Sequence, residues 1–138
     1  MDANFLNCIE GLYGEDYTTA LLGYLLEYSE NMDLLNIFHC NIVEKSVSNQ
    51  KKIKNGQFDL CIENNSNCIV IENKFYAPFT YVRDKHQLKR YAEWLSTQDE
   101  KNKVLICLCL EARKNEIKSI FSELQENKIK YEIICWEN

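Results

Sequence analysis

The chain of 138 residues is 46% hydrophobic and 27% charged, with a formal net charge of −5, which is the balance of one globular domain large enough to bury a core without staples. No apolar run approaches the roughly 20 residues a membrane span needs, and the start MDANFLNCIE has neither the basic region nor the unbroken apolar segment of an export signal. Seven cysteines are an odd number without a C-x-x-C pair, and Cys61, Cys68, Cys107, Cys109 and Cys135 sit inside apolar runs, so the expectation is packed, reduced thiols in a cytoplasmic setting and no zinc site.

In chain order, residues 4–12 read as a short helix ended near Gly11 and Gly14. Glu15-Asp16-Tyr17-Thr18-Thr19 then supplies cap candidates and a negative first turn. The helix that follows is expected to run to about Glu30 and to bury a stripe of Tyr17, Leu21, Tyr24, Leu25 and Tyr28. MDLLNIFHC after Asn31 reads as two more helical turns, with His39-Cys40 packed at its end. A first strand is expected from Asn41 to Val47, followed by a polar, basic connector SNQKKIKNG.

Gln57 to Lys74, QFDLCIENNSNCIVIENK, reads as two strands joined at Asn64-Asn65-Ser66-Asn67, residues that tolerate left-handed backbone and bond their own main chain. With those four as the loop, Glu63 pairs with Cys68, Ile62 with Ile69, Cys61 with Val70, Leu60 with Ile71, and Asp59 with Glu72. Pro78 in FYAPFTYV should end the strand and begin a loop; Phe75, Tyr76, Phe79 and Tyr81 divide there between stacking on bases, an interface and the core, with the core favoured. A helix is expected from Arg83 to Thr97, with Leu88, Tyr91, Ala92 and Leu95 packed on the sheet and Gln87 sharing a face with Tyr91. VLICLCL at 104–110 lacks alternation and suggests a strand buried on both faces. An amphipathic helix from Lys114 to Asn127 and a strand from Tyr131 to Trp136 complete the chain. The expected class is α/β, a mixed central sheet flanked by helices on both faces.

Two carboxylates facing each other in an apolar hairpin demand a positive partner. Alternation puts Lys74 on the face of Glu72, with Asn73 turned away, so Asp59, Glu72 and Lys74 form one cluster. Paired carboxylates suit a hard divalent ion such as Mg²⁺ or Mn²⁺, and a neighbouring lysine can orient or deprotonate the water it binds, which is hydrolytic equipment suited to a phosphodiester. The plainer alternative is a same-face ion pair with Asp59 solvated. Charge is uneven around the cluster: residues 1–44 hold eight acids and no Lys or Arg, whereas residues 45–90 hold nine bases against four acids. Lys45, Lys51, Lys52, Lys54, Arg83, Lys85, Lys89 and Arg90 can track a phosphate backbone, or can simply be solvated.

Phe58-Asp59 and Glu72-Asn73-Lys74 resemble the two halves of the PD-(D/E)XK nuclease motif, without the usual proline. The order of elements resembles that superfamily's αβββαβ restriction-endonuclease-like core over nearly the whole chain. Gln87-Leu88-Lys89-Arg90-Tyr91 resembles the Q-x-x-x-Y signature of RecB-like members, and IVIENKFYAP followed by HQLKRYAEWL resembles small bacterial and phage-related branches that include restriction and anti-phage defence nucleases. The resemblance implies Asp59 and Glu72 as metal ligands, the Asn73 carbonyl as a main-chain ligand, and Lys74 as the group that positions water. It implies Gln87 near the site and Tyr91 lining the nucleic-acid groove; of the basic block, Lys52, Lys54, Arg83, Lys89 and Arg90 are the expected backbone contacts. Glu15 is the best match for the acidic residue that the first core helix contributes, ahead of Asp16 and Glu27, although a helix start attracts acids anyway.

Gln57 departs from the arginine common two residues before the aspartate. Related chains often continue past the strand that YEIICW matches, so an additional C-terminal domain or a homodimer are the expected partners besides nucleic acid. DNA is favoured over RNA, since nothing in the sequence reads a 2′-hydroxyl. The competing reading is a catalytically silent module of the same fold that binds nucleic acid or protein.

Overall fold

The computed structural model describes residues 3–99, 102–124 and 128–137, with side chains from Gly14 onward. Helix α1 (Ala3–Tyr28) is broken at Gly14, whose φ of 79° and ψ of −176° are open to glycine and not to other residues. The break falls where the glycines predict it. Helix α2 (Met32–Ile37) follows, capped by the Asn31 side chain, which accepts from the Leu34 N–H at 3.2 Å.

The α1 face that is buried differs from the expected one. Tyr17, Tyr24 and Tyr28 are 62%, 61% and 65% exposed, while Thr18, Thr19, Leu22, Gly23 and Leu26 turn inward. The reason is proximity. A Cβ on Gly23 would stand 2.6 Å from Asn49 Oδ1 and 2.8 Å from Leu60 Cδ2, so α1 lies on the sheet at a distance that small inward residues permit and tyrosines would forbid.

Among the described residues, seven strands follow in two sheets. β1 (Ser46–Ile53), β2 (Gly56–Glu63), β3 (Asn67–Lys74), β6 (Asn102–Cys109) and β7 (Ile129–Cys135) lie side by side in that order. The first three are antiparallel, and β6 and β7 are parallel to β3. β4 (Tyr81–Val82) and β5 (Lys85–His86) form a small separate hairpin. α3 (Gln87–Ser96) is followed by a 3₁₀ turn at Glu111–Arg113 and by α4 (Lys114–Glu123). The mixed sheet flanked by helices is the expected class.

Two boundaries move. The first strand is Ser46–Ile53, so the lysine-rich stretch expected as a connector is strand, and 41–45 is not. β1 has only β2 beside it, and an edge strand with one solvated side accommodates lysines and glutamine where a central strand does not. The helix expected from Arg83 starts at Gln87 instead; Arg83 and Asp84, with φ of 50° and 64°, form the tight turn between β4 and β5. His86 then caps α3 by accepting from the Leu88 N–H at 3.1 Å. The final helix, expected to Asn127, ends at Glu123, where Leu124 takes extended backbone and donates its N–H to the Phe121 carbonyl; residues 125–127 lie outside the described residues.

The core has two sides. Leu22, Leu26, Leu35 and Phe38 pack on Leu60, Ile62, Ile69, Ile71 and Ile106. Tyr91, Ala92 and Leu95 of α3 pack on Phe58, Cys61, Cys68, Val70 and Leu105. β6 is buried from Lys103 to Cys109, as its unbroken apolar run predicts.

Candidate active site

The hairpin register matches the predicted one from Glu63–Cys68 to Leu60–Ile71 and stops there. The next pair, Asp59 with Glu72, does not form. Asp59 is the single residue of β2 absent from the ladders on both sides, and Gln50, which would face it across β1, has φ of 54°. The irregularity at Gln50 breaks the ladder there, while the Asp59 and Glu72 carboxyls stay in side-chain hydrogen-bonding contact with each other. In the gap, Asp59 Oδ2 accepts the Asn73 N–H at 2.8 Å.

Glu72, Asn73, Lys74 and Gln87 are 3%, 1%, 5% and 7% exposed. Polar groups that deep need partners, and Gln87 supplies most of them. Its Nε2 donates to Glu72 Oε1 at 2.7 Å and to the Tyr91 hydroxyl at 2.8 Å. Its Oε1 accepts from the Thr80 N–H at 3.2 Å and from Lys74 Nζ at 3.4 Å. Lys74 Nζ also donates to the Pro78 carbonyl at 3.3 Å, stands 3.5 Å from Glu72 Oε1 and lies 5.0 Å from the centre of the Phe79 ring.

Behind the strand, Asn73 turns the opposite way, as alternation requires. Its Nδ2 donates to Thr19 Oγ1 at 3.1 Å and its Oδ1 accepts from Trp136 Nε1 at 3.0 Å. One strand residue thus joins α1 to the end of β7 and fixes the rotation that presents Glu72 and Lys74 on the other face.

Electrostatics mark the two carboxyls as a pair. Burial raises the Glu72 carboxyl well above the usual range and the Asp59 carboxylate adds to that, while Lys74 opposes both. Burial also raises Asp59, against the Asn73 N–H and Lys74. Glu72 Oε2 is buried with no hydrogen-bond partner. A buried carboxylate oxygen without a donor, beside a second carboxyl whose pKa burial also raises, calls for positive charge. Oxygen donors of this kind fit Mg²⁺ or Mn²⁺.

The geometry extends over the whole expected frame, and a family model agrees: residues 5–138 match that of the PD-(D/E)XK nuclease superfamily. The chain belongs to the PD-(D/E)XK nuclease superfamily. Its members are nucleases that typically use divalent metals, and the substrate class is nucleic acid. No curated protein matches the chain.

Within this superfamily frame, the other expected site residues divide by burial. Glu15 Oε1 accepts the N–H groups of Phe75, Tyr76 and Ala77 at 2.7, 3.0 and 3.3 Å, so it latches the turn directly after Lys74. Asp16 and Glu27 are exposed. Tyr91, expected along a groove, is instead 1% exposed, because its ring packs edge-on against Phe58 and its hydroxyl donates to the Gln57 carbonyl at 2.6 Å. Arg90, expected on a phosphate, is 5% exposed and donates to the carbonyls of Asn55 and Thr80 and to Thr80 Oγ1. Its five N–H donors suit it to clamp two turns at once. Those turns adjoin the exposed bases: Lys52 and Lys54 beside Asn55, and Arg83 between β4 and β5, while Lys89 is exposed on α3. Of the aromatic residues after the motif, Phe75 and Phe79 are core and Tyr76 and Tyr81 are 75% and 63% exposed.

Sequence reasoning missed the roles of Thr19, Thr80 and Trp136. Only Trp136 gave a signal, as a lone indole donor closing an apolar strand, which needs an acceptor when buried. Cysteine spacing also concealed that the hairpin brings Cys61, Glu63 and Cys68 within 4.8 Å of one another. There the Lys51 ammonium bonds Glu63 Oε1 at 2.6 Å and supplies the positive charge.

Proposed function

We propose that the protein hydrolyses phosphodiester bonds in a reaction that needs Mg²⁺ or Mn²⁺, with DNA favoured over RNA and with restriction or anti-phage defence as its setting. The observation that carries this reading is the buried Glu72 Oε2, which has no N–H or O–H donor and shares its surroundings with the Asp59 carboxyl. Asp59, Glu72 and the Asn73 carbonyl would hold the ion, and Glu15 has a second carboxylate oxygen to contribute. Such an ion neutralises charge building on the phosphate and lowers the pKa of water.

The chain's own groups do the positioning. Gln87 fixes one Glu72 oxygen and leaves the other free. Lys74, anchored by the Pro78 carbonyl and Gln87, presents a donor that can hold the attacking water in line with the phosphate and offset the negative charge that develops. Lys52, Lys54, Arg83 and Lys89 are exposed and would follow the substrate backbone. The glutamine at position 57 bonds Gln50 at 2.5 Å and offers no cation of its own.

The test is incubation of labelled single- and double-stranded DNA and RNA with Mn²⁺, Mg²⁺ or chelator, using the native chain and its Asp59→Ala and Lys74→Ala variants. Metal-dependent cutting that falls by about a hundredfold or more in each variant is the expected result. Full cutting by either variant defeats the assignment, and binding of nucleic acid without cutting favours the silent module.

A further inference from the structure

One sizeable cavity lies away from the carboxylate pair. It has a volume of about 910 Å³ and opens at the other end of the sheet, where β3, β6 and β7 begin. Its lining includes Asn67, at the start of the strand that ends in Lys74; eight residues of strand put the two ends roughly 23 Å apart.

The lining has three kinds of surface. Ile69, Val104 and Ile129 are 1%, 8% and 7% exposed and make an apolar floor. Four carboxamides, Asn36, Asn41, Asn67 and Asn102, stand around it. Each carboxamide carries both donors and an acceptor; those of Asn67 and Asn102 bond each other at 3.3 Å, and Asn67 Nδ2 donates to Asn64 Oδ1 at 3.1 Å, which leaves Asn36 and Asn41 to meet a ligand. Lys128 and Lys130 bring ammonium groups to the same opening. Glu132 bonds His39 Nε2 at 2.6 Å and Lys130 Nζ at 3.0 Å, which ties a helix end to β7 and offsets one of the positive charges. His39 has φ of 56° as the left-handed residue that ends α2, its N–H donating to the Asn36 carbonyl at 3.1 Å and the Cys40 N–H to that of Leu35 at 2.7 Å.

We propose that this cavity binds a nucleoside phosphate, separately from the nuclease site. An apolar floor suits a planar base, and paired donors and acceptors read the edge of one, as asparagine does with adenine. Ammonium groups at the rim suit the phosphates. A lipid would ask for a continuous apolar wall and a bare metal ion for converging carboxylates, and the lining offers neither. The volume lies toward the upper end of the roughly 300–1,000 Å³ of small-molecule sites, enough for a base, a sugar and more than one phosphate. The occupant's position at the far end of β3 makes it a ligand of the fold rather than a substrate of the carboxylate pair.

The test is calorimetric titration of the full chain, in chelator, with ATP, AMP, adenosine and inorganic pyrophosphate. ATP is expected to bind more tightly than either adenosine or pyrophosphate alone. Charge reversal of the exposed rim, Lys128→Glu with Lys130→Glu, should weaken ATP by about tenfold or more, as should Asn36→Leu to a smaller degree. Glu72→Ala should leave ATP affinity unchanged. No heat up to about 1 mM ATP, equal affinity for pyrophosphate, indifference to the rim reversal, or loss in Glu72→Ala would each overturn the proposal. Because the readout is binding without metal, its failure leaves the nuclease reading standing, and an inactive protein can still pass it.

Discussion

Replacing Glu72 by glutamine should stabilise the metal-free protein while removing its activity. Burial and the Asp59 carboxylate together outweigh Lys74, so the folded state holds the Glu72 carboxyl well above its ordinary value and favours the protonated form. A raised carboxyl contributes stability that is fully present below the unfolded pKa and lost as pH rises through the folded one. At pH 8, where the unfolded carboxyl is ionised, holding this one in the buried site therefore weighs against folding. Each pKa unit corresponds to about 1.4 kcal/mol. With an unfolding entropy of about 2.1 cal/mol/K per residue, a chain of this length gains about 5 °C in Tm for each unit removed. Glutamine keeps the shape and the Oε1 acceptor for Gln87, and Lys74 retains Pro78 and Gln87. Melting curves in chelator should show Glu72→Gln above the native chain at pH 8, with the gap closing as acid protonates the native carboxyl. Mn²⁺ should reverse the order by stabilising only the native chain. A variant that melts at or below the native chain at pH 8, or a gap independent of pH, would refute the reasoning.

Tyr91→Phe removes a hydroxyl from between the Gln57 carbonyl and Gln87, and urea unfolding should show a loss of about 1–3 kcal/mol together with a lower kcat. Trp136→Phe leaves Asn73 Oδ1 without its donor; a similar loss of about 1–3 kcal/mol is expected, with kcat falling more than substrate affinity because the reach of Glu72 and Lys74 changes and the basic surface does not. Lys52→Ala with Lys54→Ala should reduce the salt slope of duplex binding by about 0.9 for each phosphate that is no longer neutralised, measured by fluorescence titration against salt. Arg90→Lys, whose guanidinium serves the Asn55 and Thr80 carbonyls, should lower Tm and leave that slope unchanged.

What the sequence made legible was local and periodic. Four asparagine and serine residues set the hairpin loop, and through it the register of Leu60 to Glu63 against Cys68 to Ile71. An unbroken apolar run marked β6 as a central strand. The acid pair and its lysine could be counted to one face because strand period is short and rigid. Interactions between distant segments were not legible. Nothing near Thr19 or Trp136 announces that both will bond the side chain of Asn73. Periodicity in α1 pointed to the tyrosines, since hydrophobicity alone does not record that Gly23 will bring the helix against Asn49 and Leu60. Basic composition put Arg90 with the surface lysines, and only its burial shows that its two terminal guanidinium nitrogens are already engaged.

The sheet's connectivity also orders its assembly during synthesis. β1, β2 and β3 are neighbours in sequence as well as in space, so they can pair once Lys74 has emerged from the ribosome. The other edge of β3, with Ile69, Val70 and Ile71, waits for residues 102–109 to arrive in parallel register, and an apolar edge left open in a growing chain invites wrong partners. Asn73 waits longer still, because its indole donor lies at residue 136. The two acids that would cut nucleic acid are brought near each other early, but the strand that aims them is locked only when the last strand is in place. A nascent chain therefore carries the chemistry before it carries the geometry.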